Sequence, residues 1–239
     1  MKIALVGYGK MGKTIERIAL SKGHSISFVI DKDNTNDLVK INPENTDVAI
    51  EFTNPEVAYT NITTLLKNGV AVVSGSTGWL DKKTEVENLT NSTGAAFFYA
   101  SNFSLGVNIF FHLNKVLAKI MNNFSSEYNL WTEEIHHTEK KDAPSGTAIT
   151  LAEGIMENFT QKNKWVNEMS NQTAELSIVS KREGLVPGTH IINYDSAIDS
   201  IQISHTAHSR EGFASGAVIA AEWLKGKKGN YSMDDMLKF

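Results

Sequence analysis

Residues 134–147 read EIHHTEKKDAPSGT, which places two adjacent imidazoles, His136 and His137, two ammonium groups, Lys140 and Lys141, and a Pro-Ser-Gly-Thr turn in one short stretch. Cations, titratable rings and a glycine turn together are the makings of a pocket for something negatively charged. On a strand, neighbouring side chains point to opposite faces. His136 and His137 therefore share a cleft only where the strand ends or twists, and the polar run TEKKDA marks such an end. A turn there brings Lys140 back beside the imidazoles. Ser145 and Thr147 are helix-capping types ahead of TAITLAEGIMENF, and Gly146 lets a ligand come close to the backbone. The start of that helix is a second anion seat, suited to a carboxylate. Plain solvated surface residues are the bland alternative. A metal site drawn from Glu133, Glu134, His136 and His137 is another, but HExxH spacing is absent and structural zinc sites use thiolates or more histidines. No metal is expected. His205 and His208, in ISHTAHS, read as structural or interface residues.

A second constellation opens the chain. GYGKMG, residues 7–12, matches G-x-G-x-x-G between a strand-like KIALV and a helix-like KMGKTIERIALSKG. In that setting Gly7 permits the tight turn, Gly9 lets the backbone approach a pyrophosphate and Gly12 lets helix and strand pack closely. Asp31 ends the next strand, where a carboxylate would meet a ribose hydroxyl. Lys32 beside it would attract a 2′-phosphate that Asp31 repels, a pairing that tolerates both NADH and NADPH. GSTG (75–78) and ASNFS (100–104) follow two further strand-like runs, at the strand ends where ligands sit in open α/β sheets.

The elements that must position these residues follow from periodicity. KIALVG, SISFVID, DVAIEFT, GVAVVS and AAFFYAS are short β-rich runs, and helical segments such as NPEVAYTNITTLLKNG lie between them. Alternation of this kind predicts a parallel sheet with helices on both faces and right-handed crossovers. The pattern changes after residue 106. VNIFFHLNKVLAKIMNNF (107–124) predicts a long amphipathic helix. YNLWTEEIHH, AELSIVSKREG, THIINYDS and DSIQISHTAH predict strands separated by turns, apart from one helix at 147–162. This second region reads as α+β with a mixed open sheet and helices on one side. The last part, SGAVIAAEWLKGKKG, is again helical.

The 239 residues suffice for one large domain or two small ones. A net charge of −4 excludes a protein-wide basic field, so no nucleic-acid partner is expected and any anion site must be built locally. No cysteine is present, which excludes disulfides, thiolate metal sites and a cysteine nucleophile. No stretch approaches the about 18 consecutive apolar residues of a membrane span, and the N-terminus lacks a signal-peptide pattern. A cytoplasmic protein with no membrane partner is the expectation.

GYGKMG, EFTNPE, GSTG, ASNFSLGVN, EIHHTEKKDAPSGT, REGLVPGTH and SREGFASGAVIAAEWL, in this order along the chain, resemble the 4-hydroxy-tetrahydrodipicolinate (dihydrodipicolinate) reductase family of the diaminopimelate and lysine pathway. EIHHTEKKDAPSGT is the most specific of them. The resemblance implies that His136 is the proton donor/acceptor and Lys140 the catalytic lysine. It implies that His137, Gly146 and Thr147 bind substrate, with Ser145 in the same turn. Gly7, Tyr8, Gly9, Lys10, Met11 and Gly12, then Asp31, Gly75, Ser76 and Thr77, and Ala100, Ser101, Asn102 and Phe103 match cofactor-binding positions. Lys32 matches a basic residue that meets the NADP phosphate. The implied cofactor is NADH and/or NADPH. The implied substrate is a cyclic imine with two carboxylates and a hydroxyl, which loses water and accepts a hydride. The implied architecture is a Rossmann-type dinucleotide-binding domain at 1–106 and 209–239, a substrate-binding and tetramerisation domain at 107–208, closure about a hinge, and a homotetramer. This chain departs from many relatives in a shorter first glycine loop and a short stretch between Asp31 and Glu51. A related dehydrogenase of an amino acid or semialdehyde, or a dinucleotide sensor without turnover, is the alternative. Neither needs EIHHTEKKDAPSGT.

Overall fold

The computed structural model describes residues 1–209 and 211–239; Arg210, within the SREGF motif, lies outside the described residues. Two compact units form, one from Met1–Leu105 with Glu211–Phe239 and one from Gly106–Arg210.

The first unit begins with β1 (Lys2–Val6), α1 (Lys10–Ser21) and β2 (Ser25–Ile30), then a 3-10 turn at Thr35–Lys40. It continues with β3 (Val48–Glu51), α2 (Pro55–Lys67), β4 (Ala71–Ser74), α3 (Lys83–Thr93) and β5 (Ala96–Tyr99). In β1 the strand period of two sends Ile3 and Leu5 to one core layer and Ala4 and Val6 to the other. Both faces are thus buried, which is the condition for a parallel sheet. Asn54 caps α2 by accepting from the Val57 amide, and Pro55 occupies the first helical position. Between Asp31 and Glu51 the 3-10 turn is the one helical element, so the chain there is short, as its length implies.

The second unit holds α4 (Leu105–Met121) apart from its first residue, then β6 (Asn129–His136), α5 (Gly146–Met156), β7 (Lys164–Val166), β8 (Glu175–Arg182), β9 (Gly188–Asp195) and β10 (Ser200–Ala207). The chain then returns to the first unit as α6 (Glu211–Leu224), β11 (Gly229–Tyr231) and α7 (Met233–Leu237). The first sheet has the order β11-β5-β4-β3-β1-β2, all pairs parallel. Small residues on α6, Ala214, Ala217 and Ala221, join the layer of Ile3, Leu5 and Ile50, and a Cβ on Gly216 would sit 1.7 Å from the Phe103 carbonyl oxygen.

The second sheet has the order β10-β9-β6-β8-β7, with β9 antiparallel to both β10 and β6, and β8 parallel to β6 and β7. Helices α4 and α5 cover one face through Phe110, Ala118, Leu151 and Ile155, which meet Leu130, Ile178, Ile192 and Tyr194. The helix expected at 147–162 is shorter than that reading: it ends at Met156, and Lys164–Val166 pairs as a strand. β11 and α3 were not read from the sequence. β11 has only three residues and gains its place by parallel pairing with β5.

One carboxylate fixes the carboxyl end of the first sheet. Glu51 is fully buried and accepts hydrogen bonds from the Thr53 amide (3.0 Å), the Thr53 hydroxyl, Ser74 Oγ (2.6 Å) and Ser76 Oγ (2.8 Å). Glu51→Ala strands these donors in the interior. We expect it to cost about 2–4 kcal/mol and to lower the melting temperature by roughly 5–15 °C; a thermal melt superimposing on wild type would show that the network carries no stability.

Candidate active site

Along β6 the buried positions are Leu130, Thr132, Glu134 and His136, so the helix-covered face turns from apolar to ionisable toward the strand's end. The register extends this polar patch sideways. Glu134 lies opposite Ser180 on β8 and His190 on β9, and His190 lies opposite His205 on β10. β6 stops at His136, and His137 opens the loop. That loop is pinned by the Glu183 amide donating to the His136 carbonyl (2.7 Å), Thr138 to Gly184 (3.2 Å) and Lys140 to His137 (3.1 Å).

Glu134 is the hub. Its Oε1 accepts from the Arg182 guanidinium (3.1 Å) and the Ser145 amide (3.1 Å), while Oε2 lies 3.0 Å from His136 Nδ1. Burial alone would raise its pKa, but His136, Ser145, Ser180 and Arg182 outweigh burial and hold the carboxyl well below its ordinary range. Arg182 also donates to the Asp142 carbonyl (2.6 Å), so β8 grips the loop. The rings of His136 and His190 meet edge to face with centroids 5.2 Å apart. A Cβ on Gly188 would sit 3.0 Å from His136 Nε2, so glycine leaves room for that ring.

Lys140 Nζ contacts both oxygens of Asp142 at 2.8 Å, a pairing that holds the exposed Asp142 carboxyl below its ordinary pKa. Ser145 is buried and caps α5 by accepting from the Ala148 amide (3.2 Å), so its hydroxyl serves the helix start. Among the described residues, the amides of Gly146 and Thr147 at the first turn form no hydrogen bond, and nothing lies within 4 Å of a Cβ placed on Gly146. Unpaired amides at a helix start of this kind can seat an anion. The structure thus gathers His136, His137, Lys140, Ser145, Gly146 and Thr147 around one strand end and one helix start. Arg182, Asp142 and His190 were not assigned from sequence, and Glu134 entered there only as a ligand type of the alternative metal site; the signal within reach was that Glu134 and His136, two apart, share a strand face.

Glu134, His136 and His190 place ligand-type atoms within 4.8 Å of one another. The donor types would suit zinc, but Arg182 on the same carboxylate and Lys140 nearby already supply positive charge.

In the first unit, Gly7 has φ +96°, and a Cβ there would meet the Phe52 carbonyl oxygen at 2.0 Å, so only glycine fits the turn. A Cβ on Gly12 would sit 2.2 Å from the Gly7 carbonyl oxygen, whereas one on Gly9 meets nothing. A cleft of about 640 Å³ opens over this turn, lined by Gly7, Tyr8, Gly9, Asp31, Lys32 and Thr53 among others. It lies where β1 separates β2 from β3, the crevice that nucleotides use in such sheets. Asp31 and Lys32 are exposed there, and the Asp31 carboxylate accepts from the Lys32 amide (2.9 Å). These residues fit a dinucleotide. Tyr8 donates its hydroxyl to Glu16; Lys10 is exposed and Met11 half-buried at the start of α1. Ser76 is buried on Glu51, and Gly75 packs where a Cβ would strike the Phe52 ring at 2.1 Å. Thr77 and Ser101 are exposed, Asn102 is half-buried, and Ala100 and Phe103 lie in the core with side chains turned from solvent.

A parallel sheet wound in this order, with its glycine turn opening on a cleft at the strands' carboxyl ends, is the frame of Rossmann-type oxidoreductases that use a nicotinamide dinucleotide. Known proteins narrow that class. Family models described as the N-terminus and the C-terminus of dihydrodipicolinate reductase match residues 1–103 and 106–237. A 4-hydroxy-tetrahydrodipicolinate reductase of Christiangramia forsetii is 49% identical over 237 residues, which cover 99% of this chain and 98% of that one. Its namesake in Aquifex aeolicus is 41% identical over 202 residues, 80% and 73% of the two chains. The fold is shared with a dipicolinate-bound dihydrodipicolinate reductase of Paenisporosarcina sp. TG-14, with a TM-score of 0.78 over 99% of each chain at 22% identity. The chain belongs to the dihydrodipicolinate reductase family.

Burial, and then the neighbouring His136, depress the pKa of His190 from 6.5 to about 4. Its contribution to stability is therefore complete above pH 6.5. It is lost as the pH falls toward 4, because the unfolded chain takes up the proton first. Stability should drop by up to about 3 kcal/mol more in wild type than in His190→Gln across this window. Parallel denaturant titrations at pH 7, 5.5 and 4 check this; equal slopes would refute it.

Proposed function

We propose that this chain is a 4-hydroxy-tetrahydrodipicolinate reductase. It would reduce (2S,4S)-4-hydroxy-2,3,4,5-tetrahydrodipicolinate to tetrahydrodipicolinate with loss of water, in lysine and diaminopimelate biosynthesis, using NADH or NADPH. The observation that carries this reading is the 49% identity, over essentially the full length of both chains, to a relative bearing that name. The site chemistry supports it. A cyclic dicarboxylate needs cations and amides, which Lys140, His137 and the first turn of α5 at Gly146 and Thr147 provide. His136 gives a proton to the reduced substrate, and Lys140 steadies the charge that develops there. Glu134 anchors the strand end by bonding Arg182 and the Ser145 amide. Gly7–Gly12 and Asp31 would hold the dinucleotide's pyrophosphate and ribose, with Lys32 beside them for a 2′-phosphate. Gly75–Thr77 and Ala100–Phe103 would complete its seat. When bound, the reduced nicotinamide supplies the hydride. No metal is needed for this chemistry. The working form is a cytoplasmic homotetramer assembled through the second unit.

A coupled assay with dihydrodipicolinate synthase, following NAD(P)H absorbance, tests the reaction; an unchanged absorbance with active synthase present would end the proposal. His136→Gln and Lys140→Met should each lower turnover by roughly 10²-fold or more while NADH binding, read by fluorescence titration, stays near wild type. Either variant turning over at the wild-type rate would remove that residue from its role. Asp31→Ala should weaken NADH more than NADPH; an equal loss for both would mean that Asp31 does not meet the ribose.

A further inference from the structure

We propose that Glu134 is a positioning residue for this reaction: its carboxylate accepts a hydrogen bond from the Nδ1–H of His136, so that Nε2, on the side Gly188 leaves clear, is the atom that delivers the proton. The inference deepens the proposed function and rests on its reading of His136 as the proton donor.

Three observations converge. His136 Nδ1 and Glu134 Oε2 are buried 3.0 Å apart, and neither forms an aligned hydrogen bond, with the other or with any further group among the described residues. Each is the nearest available answer to the other, and contacts of this kind tighten when a substrate binds. The second oxygen of Glu134 is already committed to Arg182 and to the Ser145 amide, so the carboxylate cannot rotate away without stranding a guanidinium and an amide. At the opposite side of the ring, a Cβ on residue 188 would lie 3.0 Å from Nε2 and 3.3 Å from Cδ2. Any side chain there would crowd the nitrogen that has to meet the substrate. The edge-to-face contact with His190 holds the ring plane between these two fixtures.

In the step itself, the Nε2–H bond of the imidazolium breaks and its electron pair stays on the ring. The proton bonds to the reduced substrate, and the Nδ1 proton remains on the ring against Glu134. The charged and titratable groups around His136 are Glu134 on its own strand, Arg182 opposite it on β8, His190 on β9, and Lys140 with Asp142 in the loop. Of these, Glu134 is the anion in direct contact with the ring.

The test is Glu134→Gln in the full chain, with kcat and KM followed against pH. Loss of the adjacent negative charge disfavours the cationic ring. We expect kcat to fall at least 10-fold with KM nearly unchanged, and the alkaline limb of the profile to move to lower pH by about one unit. Wild-type kcat and an unmoved limb, with His136→Gln inactive, would overturn the role of Glu134 and leave that of His136 standing. A fully active His136→Gln would instead overturn the underlying reading. Should Glu134→Gln fail to fold, ¹⁵N imidazole spectra of the wild-type enzyme with NADH and pyridine-2,6-dicarboxylate decide. The neutral His136 ring carrying its proton on Nδ1 supports the proposal, and a proton on Nε2 overturns it.

Discussion

The second unit is organised around one buried charge. Taking a carboxylate out of water costs several kcal/mol even after the protein relaxes, and Glu134 is wholly buried. That cost is offset only if partners converge on it, and they come from different parts of the chain: Arg182 from β8 and the Ser145 amide from the start of α5 donate hydrogen bonds, and the imidazole of His136 on its own strand lies 3.0 Å away. Each donor is thereby placed by the same charge. Removing any one leaves the buried anion less fully compensated, a larger loss than an exposed ion pair would cause. Strand end, helix start and loop are consequently held in register as one object, in addition to the apolar packing of α5 on β6 and β8.

Glu51 solves the same problem in the first unit by other means. It too is buried at the carboxyl end of a strand, but its donors are hydroxyls and an amide. The difference suits the two surroundings. A cation beside Glu51 would add charge beneath the glycine turn, whereas hydroxyls satisfy the oxygens and leave the positive field to the first turn of α1. Around Glu134 the guanidinium also grips the Asp142 carbonyl, so one cation fixes both carboxylate and loop.

Much of this was legible in the sequence, and what was hidden has a common cause. Period-two and helical patterns carry local information, so KIALV, the α2 segment and the long helix after residue 106 read directly. β11 could not be read this way, since GNY has no period of its own and becomes a strand only beside β5. Within the site, His136, Lys140 and Gly146 stand close in the chain and announced themselves together. Arg182 and His190 did not, because their place depends on which residue of β8 and β9 faces β6, a register that a single sequence does not display. Ser76 and Phe103 show the converse. Their motifs flagged them correctly as strand-end residues, but hydrogen bonding to Glu51 and packing against Phe52 and Phe98 turn their side chains inward.

Lys140 shows why recognition of a dianion cannot rest on lysine alone in a chain of net charge −4. Its ammonium is already paired with both oxygens of Asp142. An incoming carboxylate that takes the place of Asp142 gains only the difference between two similar, partly exposed ion pairs, and such pairs are each worth about 0–1 kcal/mol. Affinity for the proposed substrate is better served by donors that have no protein partner to give up and exchange only water. Among the described residues the amides of Gly146 and Thr147 qualify, since neither has an acceptor. The exchange at Lys140 then has a different use: Asp142 keeps the ammonium extended and ordered, so that little rotamer entropy remains to be lost when charge develops next to it. On the proposed reading, the helix start would then contribute more to binding and the lysine more to the charge that develops in the reaction, because the lysine is already paired and the helix-start amides are not.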